Sequence, residues 1–218
     1  MTELRTEEEQ IAVMKKWWAE NGRSLLIGIG LALAIVFGWK AYQNSVIQTK
    51  TEASGLYQQL MTEATKNNFD NEDANTLSYL ANEIKTKFES SEYAIYAAMF
   101  LAKDAIEQKN YEAAKNELNW VLSRTEDSRT QHIVNARLAR ILSAEGQHEE
   151  ALAKLNASLP QFEPVYLELK GDINKRMGNT EQAVEAYKTA YLLIKDKPQT
   201  LPLLAVKLSD LGVNPETL

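Results

Sequence analysis

The most constraining feature of the sequence is an uncharged apolar run over residues 24–39, with Arg23 and Lys40 at its two ends. As a helix, these sixteen residues would span roughly 24 Å of the roughly 30 Å hydrocarbon core of a bilayer. The long flanking side chains can snorkel to the interface, and Tyr42 suits the headgroup level. The run therefore predicts a transmembrane anchor over residues 24–43, in contact with the lipid bilayer.

Three other interpretations of this run are weaker. A cleaved secretory signal would end at a small-x-small site, and residues 40–44 offer no good one. A buried core helix would carry some polar face, and apart from Ser24 the run has none. An interfacial helix would carry a charged face, which is also missing. The pattern thus favours an uncleaved anchor that spans the membrane.

The distribution of positive charge predicts the orientation of this anchor. Lys15, Lys16 and Arg23 precede the run, whereas Lys40 and Lys50 follow it. Positive residues collect on the cytoplasmic side. We therefore expect the N-terminus in the cytoplasm of a bacterium and the C-terminal domain in the periplasm, across the inner membrane.

Residues 1–23 are predicted to form a short cytoplasmic helix. Thr6 is the candidate N-cap, acidic residues occupy the first turn, and lysines follow later, as the helix dipole prefers. The Asn21–Gly22 pair predicts a break before the membrane span.

Small residues recur every four positions inside the span, at Gly30, Ala34 and Gly38. This spacing places them on one helix face, where a second transmembrane helix could approach closely. The alternative is the ordinary abundance of glycine and alanine in membrane helices.

Beyond Asn44 the sequence predicts helices alone, because apolar residues recur at three and four positions and no β-branched alternation occurs. Residues 44–92 are expected to form a helical connector and the first helices of the domain. Within that range we expect a helix over 45–66, a polar loop over 67–75 and a second helix over 76–88.

Residues 93–198 contain three helix–turn–helix repeats, at about 93–125, 131–160 and 164–197. Each first helix has a small residue, each turn is polar, and each second helix has a small residue, then a large one four positions on. The small residues of the first helices are Ala102, Ala139 and Gly171, and the turns are QKNY, EGQH and MGNT. In the second helices the small residues are Ala114, Ala151 and Ala183, and the residues four positions on are Leu118, Leu155 and Tyr187. Three positions further come Val121, Ser158 and Ala190. The offsets of 37 and 32 residues bracket the period of tetratricopeptide repeats, which is near 34.

The predicted fold is therefore all-α: a single N-terminal transmembrane helix followed by a tetratricopeptide-like helical-repeat solenoid. The third repeat matches the pattern best and the second is degenerate. Residues 199–218 should cap the solenoid with an amphipathic helix over 201–211, and Gly212 stands where a C′ glycine ends such a helix. Another type of αα-hairpin array remains an alternative.

The composition excludes several classes of function. A net charge of −6 without a basic block argues against nucleic-acid binding. The absence of cysteine excludes disulfides and thiol chemistry. His132 and His148 are too far apart in the sequence for a shared metal, and we interpret them as solvated surface residues. No nucleophile, phosphate-binding or zinc motif occurs, so we expect neither cofactor, metal nor catalytic residues, and the protein is not expected to be an enzyme.

A binding surface is the remaining expectation. In tetratricopeptide folds the first helix of each pair lines the concave face. Mixed apolar and charged residues there would suit an extended or partly unfolded polypeptide. The residues assigned to this groove are Tyr96, Met99, Lys103, Ile133, Arg140, Glu168, Asp172 and Arg176.

The layout also resembles a known family. The segment K-K-W-W-A-E-N-G-R (residues 15–23), the span ending in G-W-K-A-Y (residues 38–42) and the repeats behind it resemble the YfgM family of ancillary SecYEG translocon subunits over essentially the full length. The resemblance implies an inner-membrane protein that associates with SecYEG and with a membrane-anchored periplasmic chaperone of the PpiD type. Its implied task is to help pass emerging secretory polypeptides to periplasmic chaperones. An envelope-stress signalling regulator acting through the cytoplasmic N-terminus remains the alternative.

Overall fold

The computed structural model describes residues 7–65, 71–156, 159–197 and 202–218. Within these ranges the regular structure is α-helix with one short 3-10 helix and no β-strand, which confirms the all-α prediction. The helices are α1 (Glu7–Ala64), α2 (Asn71–Lys87), α3 (Glu92–Glu107), α4 (Tyr111–Leu122), α5 (Ser128–Ala144), α6 (His148–Ala153), α7 (Glu163–Arg176), α8 (Thr180–Ile194), α9 (Leu204–Asp210) and the 3-10 helix Pro215–Thr217. The chain divides into two units, one ending at Ser54 and the other beginning at Gly55.

Helix α1 continues through Asn21 and Gly22, so the predicted break there is wrong. The Asn21 side-chain amide donates a hydrogen bond to the Trp17 carbonyl, 3.1 Å away, so its N–H has a partner within the helix. The Trp18 ring covers Gly22 so closely that an added Cβ would lie 3.1 Å from it. Glycine in a helix interior costs only about 1 kcal/mol, which a helix of this length tolerates. The proposed N-cap, Thr6, lies outside the described residues.

The apolar run forms a fully exposed part of α1. Leu31, Ile35 and Phe37 are 61%, 72% and 65% exposed. An 18-residue window of α1 reaches a mean hydropathy of 1.9, and none of that window is buried within the protein. Such a helix is long and apolar enough to cross a bilayer, and lipid is the solvent that its surface fits. The apolar segment of α1 is thus the candidate membrane anchor.

The second unit begins with the end of α1, which packs with α2 and α3. Leu60, Leu77, Ile84 and Ala97 belong to one buried cluster there. Helix α2 begins at Asn71, so the part of the predicted polar loop from that residue onward is helical instead. Acidic and amide residues suit a first helical turn as well as a loop, because they favour the positive end of the helix dipole. Residues 67–70 of that predicted loop lie outside the described residues.

The three predicted repeats are helix pairs: α3 with α4, α5 with α6, and α7 with α8. The small and large residues that define the pattern are buried in all three pairs, as tetratricopeptide-like packing requires. They are Ala102, Ala139, Gly171, Ala114, Ala151, Ala183, Leu118, Leu155, Tyr187, Val121 and Ala190. Ser158 lies outside the described residues. The second pair is the degenerate one, because α6 has six residues whereas α4 and α8 have 12 and 15.

The turns between paired helices share one hydrogen-bonding pattern. The N–H groups of Asn110, Gln147 and Asn179 each donate five residues back, to Ala105, Leu142 and Asn174, over 2.8–2.9 Å. This is the Schellman helix ending, which needs a left-handed residue just past the helix. Gly146 and Gly178 supply it with φ of 82° and 81°, and Lys109 supplies it with φ of 60°.

Helix α9 ends with the same motif. Gly212 has φ of 78°, and the Val213 N–H donates to the Leu208 carbonyl, which confirms the predicted C′ glycine. The helix begins at Leu204, and residues 202 and 203 of the predicted helix form a turn instead, while residue 201 lies outside the described residues. Leu204 and Leu208 are fully buried against α8, so α9 covers the end of the array.

Candidate functional site

The first helices of the three pairs share two adjacent depressions. The larger, about 380 Å³, lies between α3 and α5, and we call it the arginine pocket. It is lined by Lys103, Ile106, Glu107, Tyr111, Arg137, Arg140, Ile141 and Ala144. The smaller, about 210 Å³, is the α5–α7 cleft, lined by Arg140, Ser143, Leu169, Asp172, Ile173 and Arg176. Arg140 borders both, so four residues assigned to the groove from sequence, Lys103, Arg140, Asp172 and Arg176, lie along one continuous surface.

The net positive charge of the arginine pocket comes from α5, because Lys103 and Glu107 of α3 pair with each other. Arg137 and Arg140 lie three residues apart on one helix face. Burial, and secondarily the positive charge of Arg140, lowers the pKa of Arg137 below its usual value. Arg137 was not among the groove residues predicted from the sequence, although its spacing from Arg140 was a usable signal.

Tyr96 belongs to an aromatic cluster near the start of the array. Its ring centroid lies 5.8 Å from that of Tyr57 at the end of α1, and Tyr57 lies 5.4 Å from Tyr93. Burial raises the pKa of Tyr57. Tyr57 was missed in the sequence analysis because nothing in its local pattern distinguishes it from a core residue.

Met99 and Ile133 differ in their surroundings. Met99 is partly buried and packs against the buried cluster of α3, α4 and α5, whereas Ile133 is exposed on α5. Ile133 therefore remains available as a contact residue, and much of the Met99 side chain already contributes to the core.

Glu168 and Asp172 on α7 are engaged by the capping helix. The Lys207 ammonium of α9 lies 2.7 Å from a carboxylate oxygen of each. Asp172 also accepts a 2.7 Å hydrogen bond from the Tyr187 hydroxyl. These acids therefore tie α7, α8 and α9 together, and their charge is balanced within the domain.

The Gly171 position is filled from the opposite helix. A Cβ added there would lie 2.4 Å from the Tyr187 ring. Tyr187 is 0% exposed, and burial followed by its bond to Asp172 raises the pKa of its hydroxyl. The absence of a side chain at Gly171 is thus what allows Tyr187 to reach Asp172.

His132 is not a solvated surface residue, contrary to the prediction. The Leu159 N–H donates to its Nε2 over 3.1 Å, its Nδ1 lies 2.6 Å from the Ser128 carbonyl oxygen, and its ring stacks on Phe162 at 5.3 Å. It connects α5 to the segment before α7. His148 is part-buried, with Nδ1 3.4 Å from the Ser143 hydroxyl.

The small residues of the anchor face open space. Apart from the adjoining residues and the backbone of α1 itself, no atom lies within 4 Å of a Cβ added at Gly30 or Gly38. Both residues and Ala34 are exposed on α1, so this face is accessible to another helix. Among the residues that the structure describes, no group of His, Cys, Asp or Glu side chains could hold a metal ion.

Comparison with known proteins covers nearly the whole chain. Residues 15–213 match a family model described as a tetratricopeptide repeat-like domain. The chain is 29% identical to a Haemophilus influenzae protein named ancillary SecYEG translocon subunit, over 84% of this chain and 88% of that protein. Proteins of the same name from Neisseria gonorrhoeae and Escherichia coli are 25% and 24% identical, over 94% and 95% of this chain and 97% of each relative. No solved structure matches the chain.

Proposed function

Because the chain belongs to the tetratricopeptide repeat-like family, a class of binding scaffolds rather than enzymes, we propose that it is a membrane-tethered scaffold of the SecYEG translocon. The observation that carries this proposal is the extent of the similarity. Relatives named ancillary SecYEG translocon subunit align with up to 95% of the chain, which includes the exposed apolar segment of α1 as well as the repeats.

The proposed orientation places residues 1–23 in the cytoplasm and the unit from Gly55 onward in the periplasm. The excess of Lys and Arg before the apolar run supports it. In this orientation the repeat domain stands on the side where secretory polypeptides emerge.

The proposed task is to help pass newly translocated polypeptides to periplasmic chaperones, with a membrane-anchored chaperone of the PpiD type as a partner. The continuous surface over the arginine pocket and the α5–α7 cleft supports contact with an extended chain. Tethering near the exit site raises the effective concentration of that surface, so weak contacts become sufficient.

Orientation is tested with single cysteines at the exposed positions Glu8 and Glu52, on either side of the apolar run. The chain has no native cysteine, so each variant carries one thiol. A membrane-impermeant maleimide added to intact spheroplasts should label Glu52→Cys and leave Glu8→Cys unlabelled until the membrane is permeabilised. The reverse labelling pattern would place the repeat domain in the cytoplasm and end the proposal.

Partner contact is tested by photocrosslinking in cells from Lys103 and Arg140 on the groove side, with Asn119 on the exposed side of α4 as the control. We expect groove positions to capture secretory polypeptides or the PpiD-type chaperone, and SecYEG to copurify in mild detergent. Failure of SecYEG to copurify, together with equal crosslinking from Asn119, would contradict a translocon scaffold. Deletion of residues 2–20 tests the signalling alternative, which requires loss of a transcriptional response while SecYEG association persists.

A further inference from the structure

The arginine pocket holds two cations that no described residue neutralises. Neither Arg137 nor Arg140 makes an ion pair or a side-chain hydrogen bond with any described part of the chain. In a protein with a net charge of −6, acidic partners are not scarce. Within the described residues, the two guanidinium groups therefore give this pocket an uncompensated positive charge.

The nearby carboxylates are committed elsewhere. Glu107, which lines the pocket, pairs with Lys103 at 3.4 Å. Glu145, which follows the lining residue Ala144, pairs with Lys115 at 2.9 Å. Asp172 in the adjoining cleft is held by Lys207. Each of these acids has a cation other than the two arginines.

This arrangement carries a free-energy cost within the free protein. Arg137 is half-buried next to the like charge of Arg140. Partial burial of a charge without a counterion is unfavourable, and a neighbouring like charge adds to the penalty. An anion bound between the two guanidinium groups would remove both penalties.

The uncharged residues of the pocket lining are apolar or aromatic. Ile106 and Ile141 contribute aliphatic surface and Tyr111 contributes a ring, around a volume of about 380 Å³. That volume accommodates a large side chain, because ligand pockets for whole small molecules begin at about 300 Å³. A ligand that satisfies the whole pocket therefore combines a negative charge with an adjacent apolar group.

We propose that the arginine pocket binds an acidic segment of polypeptide, in which a carboxylate lies next to a large apolar side chain. Guanidinium groups bind carboxylates through paired N–H donors, which supplies geometry as well as charge. The continuation of the surface past Arg140 to Leu169 and Ile173 favours an extended chain over an isolated headgroup. This inference deepens the proposed function and rests on it, since it specifies which segments of an emerging polypeptide the scaffold holds.

The test uses the full chain in phosphatidylcholine nanodiscs and a fluorescein-labelled peptide that alternates Asp or Glu with Phe or Leu. A second peptide replaces every Asp and Glu by Asn and Gln. The variant is Arg137→Gln with Arg140→Gln. Its matched control is Arg129→Gln with Lys154→Gln, which removes the same charge at two exposed positions outside the pocket.

Fluorescence anisotropy should show the acidic peptide binding at least about tenfold more weakly to the pocket variant, because a lost charge contact costs that factor or more. The control variant should stay within about twofold of the wild type, as rim charges affect affinity little. The amide peptide should bind weakly to all proteins. Arg137→Lys with Arg140→Lys should recover part of the affinity, since charge returns without the paired donors.

Several results would overturn the inference. Equal weakening in the pocket and control variants would indicate unspecific attraction, and equal binding of the two peptides would show that the carboxylate is irrelevant. Arginine-dependent binding to phosphatidylglycerol vesicles, without acidic-peptide binding, would assign the pocket to lipid phosphate. Arg140→Gln alone changes an exposed side chain and provides the same comparison if the double variant unfolds. Copurification of SecYEG is measured separately for each protein. Failure of the wild type to copurify with SecYEG would contradict the scaffold function, whereas unchanged peptide binding by the pocket variant would contradict the pocket inference alone.

Discussion

The first and third helix pairs of the array solve the same packing problem with different residues. In α3–α4, Ala102 and Leu118 share a buried cluster, whereas in α7–α8 Gly171 lies directly under Tyr187. In both pairs the small residue precedes the large one by sixteen positions. The combined side-chain volume of the two residues is similar in both pairs, but it is divided differently between the two helices.

The difference also has a chemical side. Tyr187 carries a hydroxyl that reaches Asp172, and its ring is buried in the same cluster as Leu204 and Leu208 of α9. Leu118 has no polar group and belongs to a buried cluster of apolar residues. The third pair therefore packs its own two helices together and also binds the capping helix α9. Tyr187 contributes to the attachment of α9.

Gly171→Ala is expected to have the largest effect on the stability of the third pair. The new Cβ would lie 2.4 Å from the fully buried Tyr187 ring, so a helix or the ring must move. We expect a loss of about 3 kcal/mol, at the upper end of the cost of overpacking. Thermal unfolding followed by circular dichroism measures it, with Ala102→Gly as the control, which should cost about 1 kcal/mol through helix propensity. An unchanged melting temperature for Gly171→Ala would contradict the close contact.

The glycine–tyrosine combination of the third pair should also be tolerated in the first pair, where a smaller residue at position 102 should offset a larger one at position 118. Leu118→Tyr alone places a larger, aromatic side chain in the cluster that contains Ala102 and should cost about 2 kcal/mol of stability. Adding Ala102→Gly should restore at least about 1 kcal/mol, since neighbouring residues are not additive. The double-mutant cycle measures this coupling from the melting curves. Additive effects would mean that the two positions do not share space as Gly171 and Tyr187 do.

Removing the hydroxyl separates the two tasks of the third pair. Tyr187→Phe keeps the ring and loses the bond to Asp172, which should cost about 1 kcal/mol. The pKa of Tyr187 is raised by burial and by Asp172, so its contribution is complete below the unfolded tyrosine pKa of about 10 and is lost as the pH rises above it. Urea unfolding at neutral and alkaline pH should therefore show a smaller alkaline loss for the phenylalanine variant. Equal losses would contradict the role assigned to the hydroxyl.

The smallest expected effect concerns the turns of the two pairs. Lys109 adopts the left-handed conformation that Gly178 adopts in the third pair. Lys109→Gly should stabilise the protein by about 0.5 kcal/mol, because relief of strain exceeds the added freedom of the unfolded chain. Gly178→Lys should have the opposite sign and cost about 1 kcal/mol. Matched urea titrations would detect both, and equal signs would refute the equivalence of the turns.

The features that the sequence predicted are those that depend on near neighbours. Small residues such as Ala114 and Ala183, and turn residues such as Gly146, act through spacing within one hairpin. Their positions can be read from a repeat pattern because a repeated unit needs the same contacts each time.

The features that sequence reasoning missed depend on distant partners. His132 was interpreted as solvated because its partners Leu159 and Phe162 lie 27 and 30 residues further along the chain. Lys207 lies 39 residues from Glu168 and 35 residues from Asp172, so both acids were expected to be open. Tertiary contacts of this kind carry no local signal.

The shared ending of the helices has a practical consequence for protein design. Lys109, Gly146, Gly178 and Gly212 each follow a helix that closes with the same pair of backbone hydrogen bonds. A module can be copied or exchanged when it enters and leaves its neighbours with equivalent geometry. The pair α7–α8 meets this requirement best, because its turn has the glycine and its helices are of nearly equal length. Duplicating this pair ahead of α9 would lengthen the array by one helix pair, and α9 would still pack against a copy of α8.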